Sequence, residues 1–158
     1  LAIDGVTGAV RWKMNGRESD FRAPNGGPVW TDIDRTTLWS HGHLSDLWEG
    51  GAMYFDNGDH YQPPVSRALE IAWDEATMTA EVVWSYTHPT GGFANALGDV
   101  RRMPGGNVLV TWAGLGSVDE VTREGELVWQ GTYRAPSAGE PGQNLGRLVP
   151  IADLYESP

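Results

Sequence analysis

The chain has 158 residues, 21 acidic against 11 basic, a formal charge of −10 and no cysteine. That charge repels phosphate backbones and anionic membrane surfaces, which argues against nucleic-acid partners, and any anionic substrate needs a local basic pocket. The missing cysteines exclude disulfides and thiolate metal sites but leave the redox compartment open; no apolar run approaches the roughly 18 residues of a membrane span, and at 40% hydrophobic with eight tryptophans the chain can build an ordinary core.

The 21 glycines and 10 prolines fall between β-branched and aromatic runs, the pattern of many short strands joined by turns, so the fold class is all-β. The opening Ala2 to Trp12 reads as strand, Asp/Gly turn and strand closing on Trp12. Phe21 to Asp34, rich in Gly, Pro, Asn and Asp, reads as a loop. Ser40-His41-Gly42-His43 then opens a strand, and Leu47 to Phe55 is strand, Gly50-Gly51 hairpin and strand. Asp56-Asn57-Gly58-Asp59 is expected to be a type I′ or Asx turn, since Asn-Gly favours both, and Asn57 to Val65 continues as a loop. Arg67 to Trp84 is strand, acidic turn and a strand closing on Val83-Trp84. Tyr86 to Gly92 leaves it as a loop, Arg102 to Val110 is a second Gly-rich hairpin, and Val118 to Trp129 again closes on Val-Trp.

These units repeat: Leu47–Phe55 aligns with Arg102–Val110 at an offset of 55 residues, and Trp12, Trp84 and Trp129 occupy equivalent late-strand positions. Two hairpins in about 40 to 50 residues make one four-stranded propeller blade. About three blades are expected, where rings close with about four to eight, and an open arc leaves unpaired strand edges. The expected organisation is therefore propeller blades over 1–135 and a tail over 136–158, in which Arg147 to Ile151 supplies a closing strand. Leu1 starts inside a strand without a Met or signal peptide, so missing N-terminal blades of the same protein are expected as a partner.

The chemistry-bearing residues are few. Spacing of two places His41 and His43 on one face of a strand, and the run ending in His60 lies at the end of the strand expected to pair with it. Two histidines with Asp56 or Asp59 could ligate a divalent ion, but the spacing is not a zinc pattern, so neither metal nor cofactor is expected. Arg67, opening a strand, could meet an anion or pair with Glu70. His88, before Pro89, is as readily a loop residue as a functional one. There is no nucleophile elbow, P-loop or dinucleotide fingerprint, and Gly91-Gly92 and Gly105-Gly106 are turn glycines.

Five segments in order resemble the arylsulfotransferases: Trp39-Ser40-His41-Gly42-His43, Phe55-Asp56-Asn57-Gly58, Ser66-Arg67-Ala68-Leu69-Glu70, Glu81-Val82-Val83-Trp84-Ser85-Tyr86, and Met103-Pro104-Gly105-Gly106-Asn107-Val108-Leu109. Ile3 to Phe21 resembles the stretch just upstream in that family. The resemblance implies a six-bladed propeller, periplasmic or secreted, that moves a sulfuryl group from an aryl sulfate to a phenol through a sulfated histidine. On that mapping His43 is a catalytic histidine donating to the sulfate or leaving oxygen, with Arg67, Asn57 and Tyr61 in substrate-binding or supporting roles. The family's Arg after the Phe-Asp-Asn-Gly turn is replaced here by the Asp59-His60-Tyr61 stretch. Its nucleophilic histidine, expected after the second hairpin, falls on Thr111 to Gly116, which contains none, leaving His60 or His88 as substitutes. A non-catalytic propeller binding module, with a ligand near Trp39, Trp112 and Tyr61, is the alternative, and a quinone-cofactor dehydrogenase relative is a third reading.

Overall fold

The computed structural model describes residues 1–29, 38–133 and 145–149. Its strands are β1 (Ala2–Ile3), β2 (Val10–Trp12), β3 (Gly42–Trp48), β4 (Gly51–Asp56), β5 (Arg67–Asp74), β6 (Thr79–Thr87), β7 (Asp99–Arg102), β8 (Val108–Trp112), β9 (Ser117–Val121) and β10 (Leu127–Thr132). Among the described residues there is no α-helix, and one 3-10 turn, Ala113–Leu115, joins β8 to β9. All pairing between these strands is antiparallel between sequence neighbours, giving a first sheet of β1-β2, a second of β3-β4-β5-β6 and a third of β7-β8-β9-β10. The expected all-β class holds. The repeat count differs: the described residues form two four-stranded sheets and a two-stranded one, because only one hairpin precedes the loop that begins near Phe21.

Two cores lie between these sheets. Met14, Phe21, Leu38, Leu69, Ile71 and Ala80 form one, against which Trp12 of the first sheet and Trp73 of the second pack. Met53, Phe55, Val100, Val108, Val110, Trp112 and Val121 form the other, from facing sides of the second and third sheets. Central strands β4 and β8 are buried along nearly their whole length, and β4 contributes to both cores because the second sheet has a neighbour on each side. Strand β7 lies beside β3, so the first strands of the two larger sheets adjoin.

One irregularity recurs in all three sheets. Ala2 pairs with Trp12 but Ile3 with Val10, Glu70 with Trp84 but Ile71 with Val82, and Glu120 with Trp129 but Val121 with Leu127. The residue before each tryptophan, Arg11, Val83 and Val128, is the extra one of a β-bulge, and all three are exposed. The bulge breaks the period of two. Val82 faces the core shared with the first sheet, whereas Trp84, two residues on, packs on the core shared with the third. The equivalence of Trp12, Trp84 and Trp129 read from sequence is thus a structural one.

Two local expectations, on His41 and Arg67, are corrected, and a third, the type I′ or Asx turn at Asp56–Asp59, is narrowed to its Asx alternative. His41 is not on a strand face with His43: it precedes β3 at φ 70°, in the left-handed region, and the period-of-two argument fails there. Asn57-Gly58 is not a two-residue hairpin turn, because β4 and β5 are separated by residues 57–66; Gly58, at φ 71°, instead donates its N–H to Asp56 Oδ1 (3.1 Å), an Asx-type contact. Arg67 pairs with Asp56 and not Glu70, since residues three apart on a strand point to opposite faces. In the tail, Arg147, Leu148 and Val149 belong to no strand; Pro150 and Ile151, like most of 136–158 and residues 30–34 of the first loop, lie outside the described residues.

Candidate functional site at the histidine end of the sheets

The antiparallel order sends the start of β3, the β4–β5 loop, the end of β6, the start of β7 and the β8–β9 connection to one end of the sheets. All four histidines lie there. His43 is half-buried opposite Phe55, and its Nδ1 is shielded from solvent with no hydrogen-bond partner. His41 and His60 are exposed, with parallel rings 6.4 Å apart, and Asp59 Oδ2 sits 3.1 Å from His41 Nδ1. Among the described residues no three carboxylate or imidazole groups converge on a point where a metal ion could sit.

Beneath these rings lies a buried polar network centred on Asp56. Its Oδ1 accepts the N–H of Ser40 (2.8 Å), and its Oδ2 accepts Arg67 Nε (2.9 Å) and the Tyr61 hydroxyl (2.8 Å). A terminal nitrogen of Arg67 also reaches the Tyr61 hydroxyl at 2.7 Å. Burial pushes the Asp56 carboxyl above its usual range, against the opposing pull of the Arg67 charge and of these donors. Asn57, also buried, donates its amide to the carbonyls of Ala94 (2.7 Å) and Leu97 (3.0 Å), tying the β4–β5 loop to the chain that enters β7. The structure thus brings Asn57, Tyr61 and Arg67 together below His43 and His60, but holds all three in internal hydrogen bonds. Gly98 allows the close approach at this seam: it has φ 108°, and the Phe55 ring occupies the place of a Cβ.

A second charged group adjoins the first. Asp99, at the start of β7, is 2% exposed and takes Arg101 Nε at 2.7 Å and Arg147 Nε at 3.6 Å. Burial raises its carboxyl most, with Asp46 of β3 adding to the rise and Arg101 opposing it. Two guanidinium groups share one carboxylate here, with the Asp46 carboxylate of β3 close by. Sequence reasoning missed it. Alternation places Asp99 and Arg101 on one strand face, which was the available signal.

His88 is tied down at both nitrogens, Nδ1 by Thr90 Oγ1 (2.8 Å) and Nε2 by Ser117 Oγ (3.1 Å), with its ring edge-on to Trp112. Below it, fully buried Asp119 accepts Trp112 Nε1 (2.9 Å), the Tyr86 hydroxyl (3.2 Å) and Gln130 Nε2 (2.8 Å). Elsewhere, a cavity of about 320 Å³ between the first and second sheets is lined by Trp12, Trp39, Trp48, Tyr54 and Trp73 and, among the described residues, by no charged side chain.

Comparison with known families decides the affiliation: the family described as Arylsulfotransferase (ASST) matches residues 1–135. The chain belongs to the arylsulfotransferase family. No curated protein and no solved structure matches it. Within this arylsulfotransferase-family chain, the matched span takes in every described strand and all four histidines, and leaves out Arg147. Among the described residues no helix is long and apolar enough to cross a membrane.

Proposed function

We propose that this chain is part of an arylsulfotransferase β-propeller that moves a sulfuryl group from an aryl sulfate to a phenolic acceptor. In this reading each four-stranded sheet is a blade, residues 1–135 are propeller and 136–158 a tail, further blades complete the ring, and the protein works in the periplasm or outside the cell. Support for the architecture comes from the repeated meander sheets, their stacking through bulge-turned tryptophans, and the adjoining first strands β3 and β7.

The observation that carries the site is His43, a half-buried imidazole with no hydrogen bond at either ring nitrogen among the described residues, its Nδ1 shielded from solvent and its Nε2 left open. An imidazole so placed is suited to bind a sulfuryl oxygen or protonate a leaving phenolate through Nε2. Arg101 of β7, the strand beside β3, and Arg147 of the tail meet at Asp99, where guanidinium groups offset charge growing on sulfuryl oxygens. Arg67, Asn57 and Tyr61 act as positioning residues, fixing the loop that carries His60. In the transfer, a nucleophile attacks sulfur as the S–O bond to the aryl group breaks, and the phenolate leaves with a proton. Attack by the acceptor hydroxyl, which gives up its proton, then releases the new aryl sulfate. His60, exposed and with neither ring nitrogen committed, is the candidate nucleophile of this chain.

The test is release of 4-nitrophenol from 4-nitrophenyl sulfate with phenol as acceptor, comparing wild type, His43→Ala and His60→Ala. Loss of about 100-fold or more in kcat/KM for His43→Ala is expected for a lost proton donor. A folded wild type without turnover favours a non-catalytic binding module. The specific support for that second reading is that Arg67, Asn57 and Tyr61 are already committed to internal bonds.

A further inference from the structure

Between the second and third sheets a carboxylate and a tryptophan meet two arginines. Glu70, cross-strand from Trp84, takes Arg102 of β7 and Arg123 of the β9–β10 turn. Arg123 lies over the Trp84 ring at 5.2 Å, and Trp84 Nε1 donates to the Arg123 carbonyl at 2.9 Å. Arg102 lies over Trp48 at 4.0 Å. The third sheet carries the same pair again. Glu120 is cross-strand from Trp129, with the same bulge beside it, on the face turned away from the second sheet. Among the described residues no guanidinium meets them there: Glu120 takes Asn107 Nδ2 (2.7 Å), and Trp129 is 52% exposed beside exposed Leu127.

We propose that this face of the third sheet receives a further β-sheet bearing two arginines, one for the Glu120 carboxylate and one for the Trp129 ring. The inference rests on the propeller reading and names the chemistry of the next interface. Charge complementarity selects the occupant. The tail, residues 136–158, carries a single basic side chain, Arg147, and that one is engaged with Asp99. A second copy of the chain has its own matching arginines, Arg102 and Arg123, already engaged with Glu70. A cation above an indole and a guanidinium on a shielded carboxylate give both attraction and orientation, whereas an uncharged sheet would strand Glu120 without a counter-charge.

The test is footprinting of the protein isolated at the length its source produces, beside the 158-residue chain. Carboxylates are labelled with carbodiimide and glycine ethyl ester, indoles with hydroxyl radicals, and sites are read by mass spectrometry. At native length Glu120 and Trp129 are expected to label as slowly as Glu70 and Trp84, and in the 158-residue chain about tenfold faster or more. Glu120→Lys at native length is expected to restore fast Trp129 labelling, and Glu120→Gln to do so in part, with circular dichroism of the 158-residue variants unchanged. If Trp129 is protected but both Glu120 variants leave it so, a further sheet docks without the arginines; the proposal falls and the propeller reading stands. If Glu120 and Trp129 label freely at native length, both fall. Protection that grows with concentration in the 158-residue chain assigns the face to a second copy and overturns the proposal.

Discussion

Replacing Asp119 by Ala removes the acceptor of three donors while leaving the donors in place. Two of them, Trp112 Nε1 and the Tyr86 hydroxyl, belong to residues 0% and 9% exposed, and water cannot readily replace the lost oxygen. A buried donor left unsatisfied costs about 1–3 kcal/mol, so Asp119→Ala should lose about 3–5 kcal/mol, allowing for the carboxylate no longer being desolvated. Asp119→Asn is the control. Its carbonyl can serve Trp112 and Tyr86, which share Oδ2, and its amide then faces Gln130, which is exposed and can rotate its own amide to accept. That variant should lose about 1 kcal/mol. Urea unfolding followed by tryptophan fluorescence measures both: with a slope of about 2 kcal/mol per molar, the midpoint falls by roughly 2 M for Ala and 0.5 M for Asn. An Ala variant within about 1 kcal/mol of wild type, or an Asn variant as damaged as Ala, refutes the reasoning.

Arg67→Met leaves the Asp56 carboxylate buried without its cation, at a cost of about 3–5 kcal/mol near neutrality. Asp56 already titrates above its ordinary 3.8, and losing Arg67 raises it further, so protonation relieves the penalty and the gap to wild type should narrow as pH falls through the raised titration of the variant, measured by urea unfolding across pH. Tyr86 titrates above the usual phenol range, first through burial and then through the charge of Asp119. The folded state therefore keeps a proton that the unfolded chain releases above about pH 10, and stability should fall with rising pH beyond that point; Tyr86→Phe should flatten the fall in alkaline denaturation curves. Gly98→Ala places a Cβ in the Phe55 ring at positive φ and should cost about 3 kcal/mol or more by thermal unfolding, with Phe55→Leu in the same chain recovering part of the loss.

The hairpins were legible because their signals are local. Gly50-Gly51 and Gly105-Gly106 turn the chain within a few residues, and the strands around them pair as the offset alignment implies. The tryptophan repeat was legible too, since a large ring at a fixed place marks an interface whatever its neighbours are. The site was less so. Whether Arg67 faces an anion or Asp56 depends on which side of β5 the chain folds over, a fact set by the loop 57–66 and by Tyr61, not by the residues beside Arg67. His88 looked open to function, yet its partners Ser117 and Trp112 arrive from the third sheet, more than 20 residues away in sequence. Asp99 and Arg147 meet only through tertiary packing. His43 and His60 both combine a position that sequence singled out with an uncommitted ring nitrogen.

The bulge before each tryptophan also gives the stack a direction. Trp12 leans on the second sheet and Trp84 on the third, so the second sheet receives a ring on one side and offers its own on the other. The two sides of a sheet are therefore unlike, and a sheet stacked in reverse would set tryptophan against tryptophan and carboxylate against carboxylate. Contacts of this head-to-tail kind are heterologous, and repeating them through a constant rotation either returns to the starting unit or continues without end. A single inserted residue, at Val83 or Val128, thus decides for each sheet which neighbour comes next.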